Sequence, residues 1–382
     1  LVSLEHHGHP LTLGQFINDV LMVLFFFVVG LEIKRELVTG ELNTKRAAAL
    51  PAAAAIGGMI VPALLYFAFN QSGDAAAGWG IPMATDIAFA VGVVSLLGTR
   101  VSTSLKVFLL TLAIVDDIGA ILVIALFYTE KLSVGWLIVA IFVVFATSLL
   151  RAIKIWYMPV YVILGLVLWY AIFESGVHAT IAGVIMGLLA PARPLLDTDD
   201  EVEILKMQKI NEVESQSLRR LAFQIKETVP VTERLQNLLH PLTGFIILPL
   251  FALANAGVSL NAESIGDAFS SGVTQGIAMG LVVGKIVGIT VFTLLAVKMG
   301  LCVLPAGTTP RHVVGIASIA GIGFTVSMFI TGLAFDDGVL QDEAKIGILF
   351  ASFLAAFIGT FILYKSSKTE EDSRNQETME MI

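Results

Sequence analysis

Residues 104–127 read SLKVFLLTLAIVDDIGAILVIALF, an apolar run with Asp116 and Asp117 at its middle. A carboxylate at the centre of a membrane helix costs about 2.5–3.5 kcal/mol on insertion scales. Two adjacent carboxylates cost more, because like charges that close resist joint ionisation. A structural role does not require such a pair. A buried site that takes either a cation or a proton does.

The rest of the chain has the composition this run demands. Its 382 residues are 56% hydrophobic and 14% charged, with a mean hydropathy of +0.86. A soluble domain has about 45–50% apolar and about 25% charged residues. The chain therefore reads as a polytopic membrane protein. The single Cys302 excludes an internal disulfide. No basic stretch suggests a nucleic-acid surface, and no pattern points to a cofactor.

Apolar segments recur at the length of a bilayer crossing. They fall at about 16–35, 47–69, 79–99, 104–127, 134–150, 157–173, 176–191, 242–257, 273–297, 312–335 and 344–364. None shows the alternating pattern of a membrane strand, so all are read as helices. Lys and Arg then set the orientation. Of the 23, Lys131 and Lys345 stand alone in one set of alternate gaps, and Lys285 lies inside a span. All the others, from Lys34 and Arg35 to Lys365, Lys368 and Arg374, fall in the opposite set. This alternation places the C-terminus in the cytoplasm and residues 1–15 outside. An odd count with an external start predicts one further helix ahead of Leu1, and no signal peptide opens the chain.

Three polar stretches flank the membrane domain of residues 16–364 or interrupt it. The leader carries His6, His7 and His9, open to two readings, a solvated segment or a metal site. The loop 192–241 is rich in both charges. It reads as cytoplasmic amphipathic helix, or as a regulatory or partner-binding element. The tail 365–382 is polar enough to be disordered.

Ionisable and polar groups inside spans are functional candidates. Here they are Asp19, Glu32, Thr85, Asp86, Asp116, Asp117, Asn255 and Lys285. Lys285 either neutralises one acid structurally or takes part in the mechanism. Asp19 is read as a helix cap or as a functional group, and His178 as a titrating or a structural histidine. Neighbouring helical residues point about 100° apart. One of Asp116 and Asp117 can therefore face an ion while the other faces a neighbouring helix or Lys285.

Two spans look broken. Pro82 with Thr85 and Asp86 interrupts WGIPMATDIAFAVG, and Gly321, Gly323 and Thr325 interrupt GIASIAGIGFTVSMFI. Each is second in a trio of spans, and the charge alternation gives the two trios opposite orientation. The fold class that follows is an all-α polytopic membrane bundle with inverted-topology repeats and two discontinuous, crossing helices. Facing half-helix ends carry partial charges of both signs. Asp86 suits the positive ends and Lys285 the negative ones. Gly276, Gly280, Gly284 and Gly288 form a small-residue stripe for close helix packing.

The stretches FINDVLMVLFFFVVGLEIKREL, PMATDIAFAVGV, LAIVDDIGAILVIALFY, ESGVHATIAGV, LPLFALANAGVSL, GKIVGI and GIGFTVSMFI together resemble the bacterial NhaA Na+/H+ antiporters, from Phe16 to Tyr364. The resemblance implies a multi-pass carrier of the bacterial inner membrane, not an enzyme. It implies exchange of Na+ or Li+ for H+, and a homodimer. It implies twelve helices, the first lying ahead of this chain. By motif, Asp117 resembles the main ligand of the transported cation, with Asp116 and Thr85 beside it. Lys285 resembles the lysine that pairs with the first aspartate, and Asp86 the acid at the crossed helices. Glu32, Arg35 and Glu36 match positions linked to pH response and the cytoplasmic funnel, with His178 and Asp19 as further candidates. The family often carries an acid and a histidine shortly before its His-Pro pair. Here Gln236 and Asn237 precede His240-Pro241, and the loop 192–241 is longer.

Two other readings stay open on the residues alone. A Na+-coupled symporter of an organic anion shares the inverted-repeat architecture. An intramembrane aspartyl protease would need Asp86 to face the Asp116–Asp117 pair from another helix.

Overall fold

Apolar runs that cannot leave a backbone amide unpaired in lipid must fold as helices, and a computed structural model shows them so. It describes residues 5, 6, 9, 10, 13–129, 132–153, 157–193, 229–257 and 262–380. His7, Lys131, Lys154 and the 194–228 portion of the long loop lie outside these residues.

In chain order the helices are α1 (Gly14–Val38), α2 (Lys45–Phe69), α3 (Asp74–Met83, a 3-10 helix), α4 (Ile87–Leu96), α5 (Thr103–Phe127), α6 (Val134–Ala152), α7 (Met158–Glu174), α8 (Thr180–Leu189), α9 (Val231–Asn255), α10 (Ala262–Ser270), α11 (Gly272–Lys298), α12 (Pro310–Ile319), α13 (Phe324–Ala334) and α14 (Gly338–Glu380). Ahead of α1, Glu5–His6 and His9–Pro10 pair as a two-residue antiparallel ladder. Among the described residues seven helices are long and apolar enough to cross a membrane. Two bent pairs, α3 with α4 and α12 with α13, add a span each. The apolar helices α7 and α8 are shorter. Every one of the eleven expected segments is therefore helical, in a polytopic membrane protein.

The differences lie at boundaries. The third span begins at Asp74 and not at 79, and its first half winds as a 3-10 helix. α9 begins at Val231 and not at 242. Pro241 lies inside it, and the turn that follows, Thr243–Ile247, widens to a π-helix. A proline has no N–H for the helical ladder, and neighbouring structure lets membrane helices absorb that loss. α8 is ten residues long, short of the 176–191 span expected. α14 runs through the polar segment after 364 as far as Glu380.

Contacts divide the chain into two compact units. The first comprises residues 1–43 and 130–249, in which α1 packs on α8 and α9, and α6 on α7. The second comprises residues 44–129 and 250–382 and holds both trios of spans. Within it α11 packs along α2, and α14 along α11, α12 and α13. Short caps start the helices that frame the breaks. The Ser102 hydroxyl accepts from Leu105 N at 3.3 Å to open α5, and Thr44 does the same for Ala47 N at the start of α2.

The glycine stripe of α11 lies against α2. At the tightest point a Cβ on Gly288 would stand 2.1 Å from the Gly57 carbonyl oxygen, and one on Gly57 would stand 2.2 Å from the Gly288 oxygen. Only glycine lets two backbones cross this closely. Overpacking a buried contact costs about 1–3 kcal/mol. Gly288→Ala is therefore expected to lower the thermal unfolding midpoint of the detergent-solubilised protein by several degrees. An unchanged midpoint would show that the crossing is not under this steric limit.

Candidate functional site

Both breaks fall in the second unit, and they meet. The first, Ala84 to Asp86, separates α3 from α4 with a bend of 43°. The second, Ala320 to Gly323, separates α12 from α13 with a bend of 51°. Pro82 and the capping Asp86 stop the first span. In the second, Gly321 passes so close to α11 that a Cβ there would lie 2.2 Å from the Leu281 carbonyl oxygen. The two stretches bond to each other. Asp86 N donates to the Ile322 carbonyl at 2.7 Å, and the Thr85 hydroxyl reaches the Ala320 carbonyl at 2.8 Å. The Ser327 hydroxyl donates to the Ile81 carbonyl at 2.8 Å.

The crossing brings two N-termini and two C-termini into buried space, and polar side chains answer each sign. The Asp86 carboxylate caps both N-termini. Its Oδ1 accepts from Phe89 N at 3.1 Å, the third residue of α4. Its Oδ2 accepts from Thr325 N at 3.0 Å and from the Thr325 hydroxyl, at the start of α13. One negative charge thus faces two positive helix ends. With both oxygens so occupied, Asp86 does not form a shared-proton dyad with Asp116, as an aspartyl protease would require.

The opposite sign gathers on Lys285, whose side chain is fully buried. Its ammonium forms an ion pair with Asp116 Oδ2 and donates to the Thr85 hydroxyl at 3.0 Å. The Thr85 Oγ1 stands 2.7 Å from Asp116 Oδ2 and 2.8 Å from the Ala320 carbonyl at the end of α12. A hydroxyl has one proton to donate, so Thr85 serves Asp116 or the helix end at one time, not both. Lys285 follows directly on a π-helical turn at Gly280–Gly284. Such turns occur frequently at functional sites.

Asp116 Oδ1 is buried and has no hydrogen-bond partner among the described residues. Leaving a charged acceptor unsatisfied costs free energy that a cation or a proton would return. Asp117, the next residue of α5, is also buried. Hydroxyl and carboxylate oxygens are the donors a hard cation prefers. The arrangement can therefore hold a small alkali cation or protons at a buried aspartate pair. Among the described residues no group of three or more His, Cys, Asp or Glu is placed to hold a metal ion.

The other candidates, Asn255 excepted, belong to the first unit. Glu32 Oε1 accepts from the Gln236 amide at 3.1 Å. Arg35 and Glu36 form an ion pair at 3.3 Å, and Glu36 Oε2 accepts from Glu41 N at 3.0 Å, tying the end of α1 to the following turn. The Asp19 backbone carbonyl accepts from the Trp169 indole at 3.3 Å, and His178 lies in the turn between α7 and α8. Asn255, in the second unit, donates to the Phe251 carbonyl within α9. Sequence reading gave Thr325 no bonding role and passed over Ser352, which bonds the start of α13. Their partners are remote in sequence, and a lone serine in an apolar helix carries no signal.

A family model described as Na+/H+ antiporter 1 matches residues 2–363. A protein of Frankia alni named Na(+)/H(+) antiporter NhaA 3 is 48% identical over 359 residues, 93% of this chain and 77% of that protein. A protein of Syntrophobacter fumaroxidans named Na(+)/H(+) antiporter NhaA is 47% identical over 372 residues, 93% of this chain and 79% of its own length. One of Syntrophotalea carbinolica, Na(+)/H(+) antiporter NhaA 2, is 43% identical over 379 residues, 96% and 86% of the two chains.

Removing one partner of a buried ion pair costs about 3–5 kcal/mol, whereas replacing both by apolar groups is often neutral. Asp116→Leu alone is expected to destabilise the solubilised protein strongly, and the double change Asp116→Leu with Lys285→Met to restore most of the loss. Additive effects in a thermal unfolding double-mutant cycle would contradict the pairing.

Proposed function

Because this chain belongs to the Na+/H+ antiporter 1 family, we propose that it exports cytoplasmic Na+ in exchange for external protons, with Asp117 and Asp116 as the site the two compete for. The observation that carries the proposal is the buried Asp116–Lys285 pair at the crossed breaks, with one Asp116 oxygen left unsatisfied. An empty site of this kind is costly, and either Na+ or H+ relieves it. Both cannot bind at full strength together, because they meet the same negative charge. Competition combined with alternating access gives exchange and excludes net leak of either ion.

In this reading Asp117 is the principal cation ligand, with Asp116 and Thr85 beside it. Thr85 offers Na+ its lone pairs when its proton turns to the Ala320 carbonyl. Lys285 holds Asp116 when the site is empty, and Asp86 holds the helix ends that frame it. Li+ shares the hard-cation chemistry of Na+ and is a second substrate. Glu32, Arg35, Glu36, His178 and Asp19 belong to ion entry and pH response. Gln236 is a neutral partner for Glu32 and serves either protonation state, donating through its nitrogen or accepting through its oxygen. The membrane is the plasma membrane of a bacterium, and the physiological task is sodium and pH homeostasis. The relatives' names speak for antiport and lend no weight to a Na+-coupled organic-anion symporter.

Inside-out vesicles with an imposed pH gradient test the proposal. NaCl and LiCl are expected to collapse the gradient with the wild-type chain, and KCl is not. Asp117→Asn is expected to reduce the Na+ response to that of vesicles without the protein. Retained Na+-driven exchange in Asp117→Asn would remove the central ligand.

A further inference from the structure

α14 stands behind the second break and bonds it on both sides. Before the break, the Ser318 hydroxyl of α12 donates to the Ala355 carbonyl of α14 at 2.9 Å. After it, the Ser352 hydroxyl of α14 accepts from Gly323 N and from Phe324 N, each at 3.3 Å. A helix start leaves four N–H groups without an intrahelical partner. At the start of α13, Ser352 takes those of Gly323 and Phe324, and Asp86 takes that of Thr325. Gly323 has no side chain that could cap the helix, so the oxygens come from elsewhere in the fold. One of these two caps is ionisable and belongs to the crossing. The other is neutral and belongs to a continuous helix that flanks it.

We propose that Ser352 is a positioning residue for ion exchange, its hydroxyl capping α13 so that the positive end of that helix does not oppose cation binding. A helix N-terminus carries the equivalent of about half a positive charge, concentrated on its free N–H groups. Ser352 Oγ presents lone pairs to two of them in buried surroundings, where such interactions are least screened. Without that oxygen the exposed positive end sits beside Asp86 and the Thr85–Asp116–Lys285 cluster. The potential there becomes more positive, which weakens binding of any cation. Ser318 bonds a carbonyl of α14 and touches no N–H of α13, so it tightens the packing without entering this balance. The inference rests on the exchange proposed above, and the wild-type activity measured in parallel separates failure of the one from failure of the other.

The test is Na+/H+ exchange in proteoliposomes of the full chain, read as apparent KM for Na+ against maximal rate, for wild type, Ser352→Ala, Ser352→Thr and Ser318→Ala. Ser352→Ala is expected to raise KM about three- to tenfold, in line with the strength of a buried helix-end interaction. Ser352→Thr, which keeps the hydroxyl, is expected to return KM to within about twofold of wild type, since the same oxygen again accepts from the helix end. Ser318→Ala is expected to lower thermal stability and leave KM unchanged. A merely structural serine would lower the maximal rate or the yield at constant KM, and that result would overturn the proposal. Where Ser352→Ala fails to reach the membrane, Ser352→Cys takes its place, its sulfur being a weak acceptor. A KM equal to wild type in Ser352→Cys would likewise overturn it.

Discussion

A lysine and an aspartate paired in full burial are the constraint on which the second unit depends. Neither the Lys285 nor the Asp116 side chain has exposed surface. Desolvating two ions costs several kcal/mol each, and their attraction repays it only with close geometry and further hydrogen bonds. Thr85 supplies one such bond to each partner. Thr85 in turn is available because α3 stops at Met83 and leaves a stretch of free backbone before α4. The break in the first span and the ion pair thus require each other.

The second break completes the arrangement by electrical necessity. Four half-helix ends in low dielectric would be unfavourable if left bare. Asp86 satisfies the two N-termini, and the Thr85 hydroxyl satisfies the Ala320 carbonyl at one C-terminus when its proton turns away from Asp116. These charges therefore have two duties, to stabilise a helix end and to set the potential at the aspartates. Around this crossing the apolar helices act as a frame. The π-turn of α11 sets Lys285, the close passage of Gly57 and Gly288 holds α11 on α2, and α14 bonds both sides of the second break.

Much of this is legible in the amino-acid sequence. Apolar length located the spans, since lipid permits only helices there. Asp116, Asp117, Asp86 and Lys285 stood out because ionisable residues in apolar runs carry a large penalty. The breaks at Pro82 and around Gly321 were visible, as was their place in two matching trios. What was not legible depends on partners distant in sequence. Thr325 meets Asp86 across 239 positions, and no local pattern marks Ser352 as the cap of a helix 28 residues away. Boundaries also escaped. Pro241 reads as the start of a helix by propensity, yet a π-turn lets α9 run through it. The 3-10 winding of α3 has no signature in composition, and bonds from the Tyr66, Tyr128 and Ser327 hydroxyls to its carbonyls hold it in place.

The central claim is that Na+ and protons compete for one buried pair of carboxylates. Its most direct test is the affinity of the purified protein for Na+ as a function of pH, read by calorimetry in buffers of different ionisation enthalpy. Competition requires that Na+ binding release protons, and that each unit of acidification lower the apparent affinity about tenfold per displaced proton once the site is protonated. Na+ binding that releases no protons and keeps one affinity across the range would contradict the account.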